Sequence, residues 1–153
     1  MFALNHDVDI SSKPIKRRCR RFQKKDKIEY EFRIKSVTIG DKTRSYDDEG
    51  RLHRENGPAV VNGGDQEWYH HGKLHRDGGP AEIKPSSSKR EAWYQNGRLH
   101  REDGPAFTQT GVEMWYQNGV LHRIDGPAII SNGTSTSNGT SRKEWWIDGK
   151  RCQ

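Results

Sequence analysis

The sequence predicts an all-β fold, an elongated antiparallel sheet or solenoid of four to five hairpin repeats behind a basic N-terminal extension. Three observations predict it. A ten-residue pattern recurs without a gap at residues 50–59, 72–81, 97–106 and 119–128. An aromatic stands four positions before each leading glycine, at Tyr46, Trp68, Trp93 and Trp115. Apolar residues make up 29% of the 153 residues, or about 39% with the 16 glycines, against roughly 45–50% in globular domains. A deep two-layer core is therefore not expected, whereas a thin sheet that buries one stripe per repeat needs less apolar material.

Each unit reads as strand, tight turn, short strand, corner, strand. The first unit begins near residue 46 and the next three near 68, 93 and 115. A partial fifth begins near 145 with Trp145-Trp-Ile-Asp-Gly. Asn96-Gly97, Asn118-Gly119 and Asp148-Gly149 favour type I′ turns, which join two strands through two residues of positive φ. The Gly-Pro pair marks the next corner, where a proline is tolerated at the first residue of a strand. β-Branched or aromatic runs follow at 59–61, 81–83, 106–108 and 128–130.

The turn type fixes a register. Gln95 pairs with Arg98, Tyr94 lies opposite Leu99, and Trp93 lies opposite His100. Alternation then puts Tyr and Leu on one face and Trp and His on the other. The same register gives Tyr69–Leu74, Tyr116–Leu121, Trp68–His75 and Trp115–His122, and sets Glu67 against Arg76 as a cross-strand ion pair. The end units are degenerate, as capping of an open array requires. Tyr46 takes the Trp position of the first. Arg151 and Cys152 take the Leu and His positions of the last. The Trp-to-Ala distance within a unit is constant at 13 residues, while the Ala-to-Trp distance runs 9, 12, 9 and 17. Variation is therefore confined to one set of hairpin tips, including 84–89 and 131–141.

The order Trp, Asn-Gly, His, Gly at this spacing resembles the MORN repeat over residues 41–153. Where that family carries His-Gly-x-Gly, this chain carries His-Arg-x-Asp-Gly-Pro-Ala, so the resemblance is to a variant. The Leu-His-Arg-x-Asp-Gly-Pro-Ala form is also similar to repeat proteins of bacteriophages and large DNA viruses. The MORN resemblance implies an elongated antiparallel sheet used as an interaction surface. That family has been linked to lipid headgroups, for which this repeat region offers no basic face.

The charge is divided unevenly. Residues 1–35 hold eleven Lys/Arg against five Asp/Glu, a net +6, and residues 36–153 hold sixteen of each. The repeat array is neutral. Within residues 13–25 stand eight cations and no anion: Lys13, Lys16, Arg17, Arg18, Arg20, Arg21, Lys24 and Lys25. Such a run cannot bury itself. Residues 1–27 therefore read as a disordered basic arm for nucleic acid, nuclear import or an acidic protein, or as a solubilising extension. The alternating Ile28-Glu-Tyr-Glu-Phe-Arg-Ile34 reads as a strand, and residues 28–40 as the cap on the open edge of the array.

His53, His75, His100 and His122 invite a metal or catalytic reading. Equivalent residues two strands apart are separated by about 9–10 Å, too far to share one zinc ion. The expectation is that each imidazole packs on Trp and hydrogen-bonds to a neighbouring unit. Tyr69-His70-His71 is the one local His cluster, and alternation sends adjacent strand residues to opposite faces. No metal site is expected. The residues His-Arg-Glu-Asp at 100–103 share letters with a kinase catalytic loop but lack its downstream Asn, strand Lys and Gly-rich loop. Neither a nucleophile elbow nor a paired-Cys motif is present, and no enzyme or cofactor is expected.

Trp68, Trp93, Trp115 and Trp145 are expected to form a buried stripe joining the units, the alternative being an exposed stacking ladder. Arg54, Arg76, Arg101 and Arg123 are expected to pair mostly with nearby acids. Cys19 and Cys152 read as free thiols in a reducing compartment. The Asn132-Gly-Thr and Asn138-Gly-Thr sites read as turns. No secretory leader and no run of about 18 apolar residues is seen. The expected setting is intracellular: cytoplasm or nucleus, or virion or infected-cell cytoplasm for a viral protein. The expected role is a non-catalytic interaction or scaffold module in a larger assembly, with another protein as partner. The alternative is nucleic-acid binding through the arm.

Overall fold

A computed structural model describes residues 35–85, 89–133 and 140–152. Among these residues there is no helix, and therefore none long and apolar enough to cross a membrane. In chain order the strands are β1 (Ser36–Ile39), β2 (Lys42–Ser45), β3 (Val60–Asn62), β4 (Asp65–Glu67), β5 (Tyr69–His70), β6 (Lys73–Leu74), β7 (Glu82–Lys84), β8 (Arg90–Ala92), β9 (Tyr94–Gln95), β10 (Arg98–Leu99), β11 (Phe107–Gln109), β12 (Val112–Met114), β13 (Tyr116–Gln117), β14 (Val120–Leu121), β15 (Ile129–Asn132), β16 (Ser141–Glu144), β17 (Trp146–Ile147) and β18 (Lys150–Arg151).

Ten of them form one antiparallel sheet, in the order β1-β2-β3-β4-β7-β8-β11-β12-β15-β16, which does not close into a barrel. The other eight form four short hairpins: β5–β6, β9–β10, β13–β14 and β17–β18. Each hairpin is an excursion at the same end of the sheet. Connections of the variable set, such as 63–64 and 110–111, lie at the opposite end.

The predicted register holds where the turns are regular. Gln95 pairs with Arg98 and Tyr94 with Leu99. Tyr69–Leu74 and Tyr116–Leu121 follow suit. Asn96 (φ 50°) and Gly97 (φ 80°) have the two positive φ values that a type I′ turn demands, as do Asn118 and Gly119. The first unit departs from the prediction. Tyr46 bridges Leu52, and the His53 amide donates to the Ser45 carbonyl at 3.0 Å. Tyr46 therefore occupies the Tyr position and Ser45 the Trp position. The cause is one extra residue in the turn at 47–51, where the Asp47 amide donates to the Arg51 carbonyl. In the last unit Arg151 stands at the Leu position, and the Cys152 amide meets the Trp145 carbonyl, as predicted. Of the predicted cap, β1 is the described part, and residues 28–34 lie outside the described residues.

The buried stripe is not made of tryptophan. The fully buried apolar side chains among the described residues are Ala59, Ala81, Ala92, Ala106 and Ala128, each 0% exposed. Trp68, Trp93 and Trp115 are half-buried, and Trp145 is 48% exposed. The reason lies in the register. The Trp68 amide donates to the Ala81 carbonyl, Trp93 to Ala106 and Trp115 to Ala128, at 2.7–2.8 Å. Continuing the ladders by one residue sets Ala81, Ala106 and Ala128 each between two Trp positions. A large residue on one strand leaves room only for a methyl on the next.

That packing yields a test. Ala106→Leu adds volume where there is none, which costs about 1–3 kcal/mol. Urea denaturation should show a lower midpoint with an unchanged slope.

Candidate functional site

Trp68, Trp93 and Trp115 are each covered by the arginine of their own unit. The guanidinium carbon stands 3.9 Å from the ring centroid for Arg76 over Trp68, 4.0 Å for Arg101 over Trp93 and 3.9 Å for Arg123 over Trp115. The same guanidinium donates to the carbonyl of the corner proline, Pro80, Pro105 or Pro127. Arg54 reaches Pro58 in the same way, although its unit has no Trp. The glycine before each proline makes room for this. A Cβ on Gly79 or Gly104 would lie 2.9 Å from the arginine Cζ. Of the four repeat arginines only Arg101 also holds a described acid, Asp103 at 2.8 Å. The expected pairing with acids is thus replaced by stacking. Glu67 likewise does not meet Arg76, because the two point to different faces. Glu67 accepts from the Tyr69 hydroxyl at 3.1 Å and lies 3.5 Å from Lys84.

The repeat histidines join one unit to the next, as predicted. Nδ1 of His53 accepts the amide of His71 at 3.2 Å. His75 accepts Asn96, His100 accepts Asn118 and His122 accepts Asp148, at 3.1–3.2 Å. Two backbone hydrogen bonds reinforce each of the four junctions. At the third, for example, the Gly119 amide donates to the Leu99 carbonyl and the Arg101 amide to the Tyr116 carbonyl. The contact common to the four His rings is thus a turn amide at Nδ1, while the faces of Trp68, Trp93 and Trp115 are taken by arginine.

The Tyr and Leu residues line the other face. Here Tyr46, Leu52, Val60, Glu67, Tyr69 and Lys84 help wall a shallow groove of about 550 Å³. Glu82 is buried, and burial alone would raise its carboxyl. Hydrogen bonds from Lys84 (2.7 Å) and Arg90 outweigh burial and hold it below its ordinary value. Burial first, then the Glu67 charge and hydrogen bond, push Tyr69 up to about 12.

One junction differs from the rest. His71 is the first residue of a type I′ turn, with φ 47°, and Gly72 follows at 79°. The predicted alternation stops at His70, so adjacent residues no longer diverge. The His70 and His71 ring centroids are 4.5 Å apart, and His71 stacks on His53 at 4.3 Å. The reading of this tripeptide as strand overlooked that His71 stands in the column of Asn96 and Asn118. That column was the available signal, since His, like Asn, is enriched at positive φ. Burial first, then the charges of His71, His53 and His75, lower the pKa of His70.

Asp47 anchors the same corner. Its carboxylate accepts from His71 Nδ1 and Arg51 Nε, each at 2.8 Å, and from the Glu49 and Arg51 amides. Burial opposes ionisation, but the His71 and Arg51 hydrogen bonds outweigh it and hold the carboxyl well below the usual carboxylate range. The arm cations Lys13, Lys16, Arg17, Arg18, Arg20, Arg21, Lys24 and Lys25 lie outside the described residues. No protein-family model, curated protein or solved structure matches this chain.

Two outcomes are expected. His100→Ala removes the acceptor for the Asn118 amide and should cost about 0.5–1.5 kcal/mol in chemical denaturation. Because the pKa of Asp47 falls on folding, its contribution is complete above the ordinary value of 3.8 and is lost as pH drops below it. Asp47→Asn should therefore be less stable than wild type at neutral pH. The gap should close on acidification, as read from thermal midpoints across pH.

Proposed function

We propose that this chain is a non-catalytic protein-interaction or scaffold module, a MORN-like hairpin array that works within a larger assembly. The observation that carries the reading is a set of exposed large apolar side chains in the last two hairpins of the array. Val120 is 43% exposed, Trp145 48% and Ile147 43%, next to the edge strand β16. Gly149 brings two of these hairpins together, since a Cβ there would lie 3.5 Å from the Val120 Cβ. An edge strand flanked by exposed apolar groups is suited to pairing with another chain. Among the described residues no arginine stacks on Trp145, and the sequence carries Gln153 at the position of the repeat arginine.

The test is affinity purification of tagged protein from its native cell in the presence of nuclease. A co-purifying protein should survive moderate salt and be lost from the Val120→Asp/Ile147→Asp variant, whose circular dichroism stays unchanged. A free monomer in native lysate would overturn the reading.

A second reading rests on the charge division, which places the whole net +6 in residues 1–35. In it the arm supplies affinity for nucleic acid, and each phosphate contact adds about −0.7 to −0.9 to the log–log salt slope. Deletion of residues 1–27 should then abolish RNA or DNA binding and leave the sheet folded. Unchanged binding after the deletion would exclude it.

A further inference from the structure

We propose that His53, His70 and His71 form a site for a divalent transition metal of the zinc or copper class, which staples the first unit of the array to the second. One nitrogen from each ring lies within 4.8 Å of the other two. A tetrahedral zinc with bonds of about 2.0–2.1 Å holds its nitrogens about 3.3 Å apart. Small rotations of His70 and His71, both exposed, cover the difference. Imidazole ligands select zinc, copper or nickel over magnesium and calcium.

The surroundings prepare one ligand and oppose another. His71 Nδ1 is 2.8 Å from the Asp47 carboxylate, which is fixed in turn by Arg51. It is also 3.1 Å from Arg51 Nη2, which donates to Glu49 at 3.0 Å, so the shorter carboxylate contact makes Nδ1 the donor. A carboxylate on Nδ1 sets the tautomer, leaves Nε2 free and raises the basicity of the ring. His53 behaves differently. Its Nδ1 accepts the His71 amide, so in the neutral ring Nε2 carries the proton. Coordination through Nε2 moves that proton to Nδ1 and ends the hydrogen bond. His70 and His71 are therefore the primary ligands and His53 the weaker third, with the fourth position left to water.

The array contains its own control. At the next two junctions Gln95-Asn96 and Gln117-Asn118 stand where His70-His71 stands in this one. There His75 and His100 perform the same structural task with no imidazole from the facing turn. The double variant His70→Gln/His71→Asn thus writes into the second unit a dipeptide that the same fold already carries twice.

The experiment is calorimetric titration of zinc chloride into the full chain, with cobalt(II) absorption as a second readout. Wild type should take up one zinc per chain with a nitrogen-ligated cobalt spectrum, and its thermal midpoint should rise with zinc. The double variant should lose both the uptake and the rise. His100→Ala should keep both, and Asp47→Asn should bind about tenfold more weakly. The proposal is overturned if wild type shows no saturable uptake at micromolar zinc. It is equally overturned if the double variant binds as wild type does.

Discussion

The three central units are each closed by a guanidinium held between an indole face and a Gly-Pro corner. This one arrangement accounts for four of the recurring residue types. Trp supplies the face, Arg the cation, Gly the space and Pro a carbonyl that accepts from the cation. It also turns the chain back towards the sheet after each short excursion. Stacking of this kind contributes about 0.5–2 kcal/mol, the larger figure where water is excluded. It recurs in three units, over Trp68, Trp93 and Trp115. Because the fully buried apolar side chains among the described residues are all alanines, such contacts take over work usually done by a core.

How much of this was legible depended on whether a rule was local. The hairpin registers could be read because two-residue turns dictate which residues face each other, and Tyr94–Leu99 follows from Asn96-Gly97 alone. The role of His100 could be read from its place beside a neighbouring unit. The first unit could not, because one extra residue in the turn at 47–51 shifts Tyr46 by a position without disturbing the glycine spacing. Burial of tryptophan was misjudged for another reason. Ring size argues for a core only where a second layer exists to cover it, and here alanine takes the space between Trp positions. The His53–His70–His71 cluster stayed hidden because strand alternation was carried one residue too far, into a turn.

The second row of contacts explains how so thin a sheet stays in register. Each short hairpin docks on the previous one through a turn amide to a histidine, a glycine amide to a leucine carbonyl, and an arginine amide to a tyrosine carbonyl. Every one of these joins nearest neighbours. Stability in such an array is close to a sum of unit and junction terms, so damage at one junction should stay local. The sequence varies in length only between the Ala and the next Trp, outside the residues that make these junctions.

Those junction bonds also give the array a direction. A unit offers two acceptors forward and two amide donors backward, so two chains set head to tail would present matching surfaces, the geometry that leads to open filaments. Both ends are altered in ways that blunt this. In the first turn the Glu49 and Arg51 amides are occupied by the Asp47 side chain and the Gly50 amide by the Asp47 carbonyl. In the last unit Cys152 replaces the histidine and removes its strong acceptor. The chemistry that joins one repeat to the next is thus weakened in the first and last described units, where the sequence departs from the repeat.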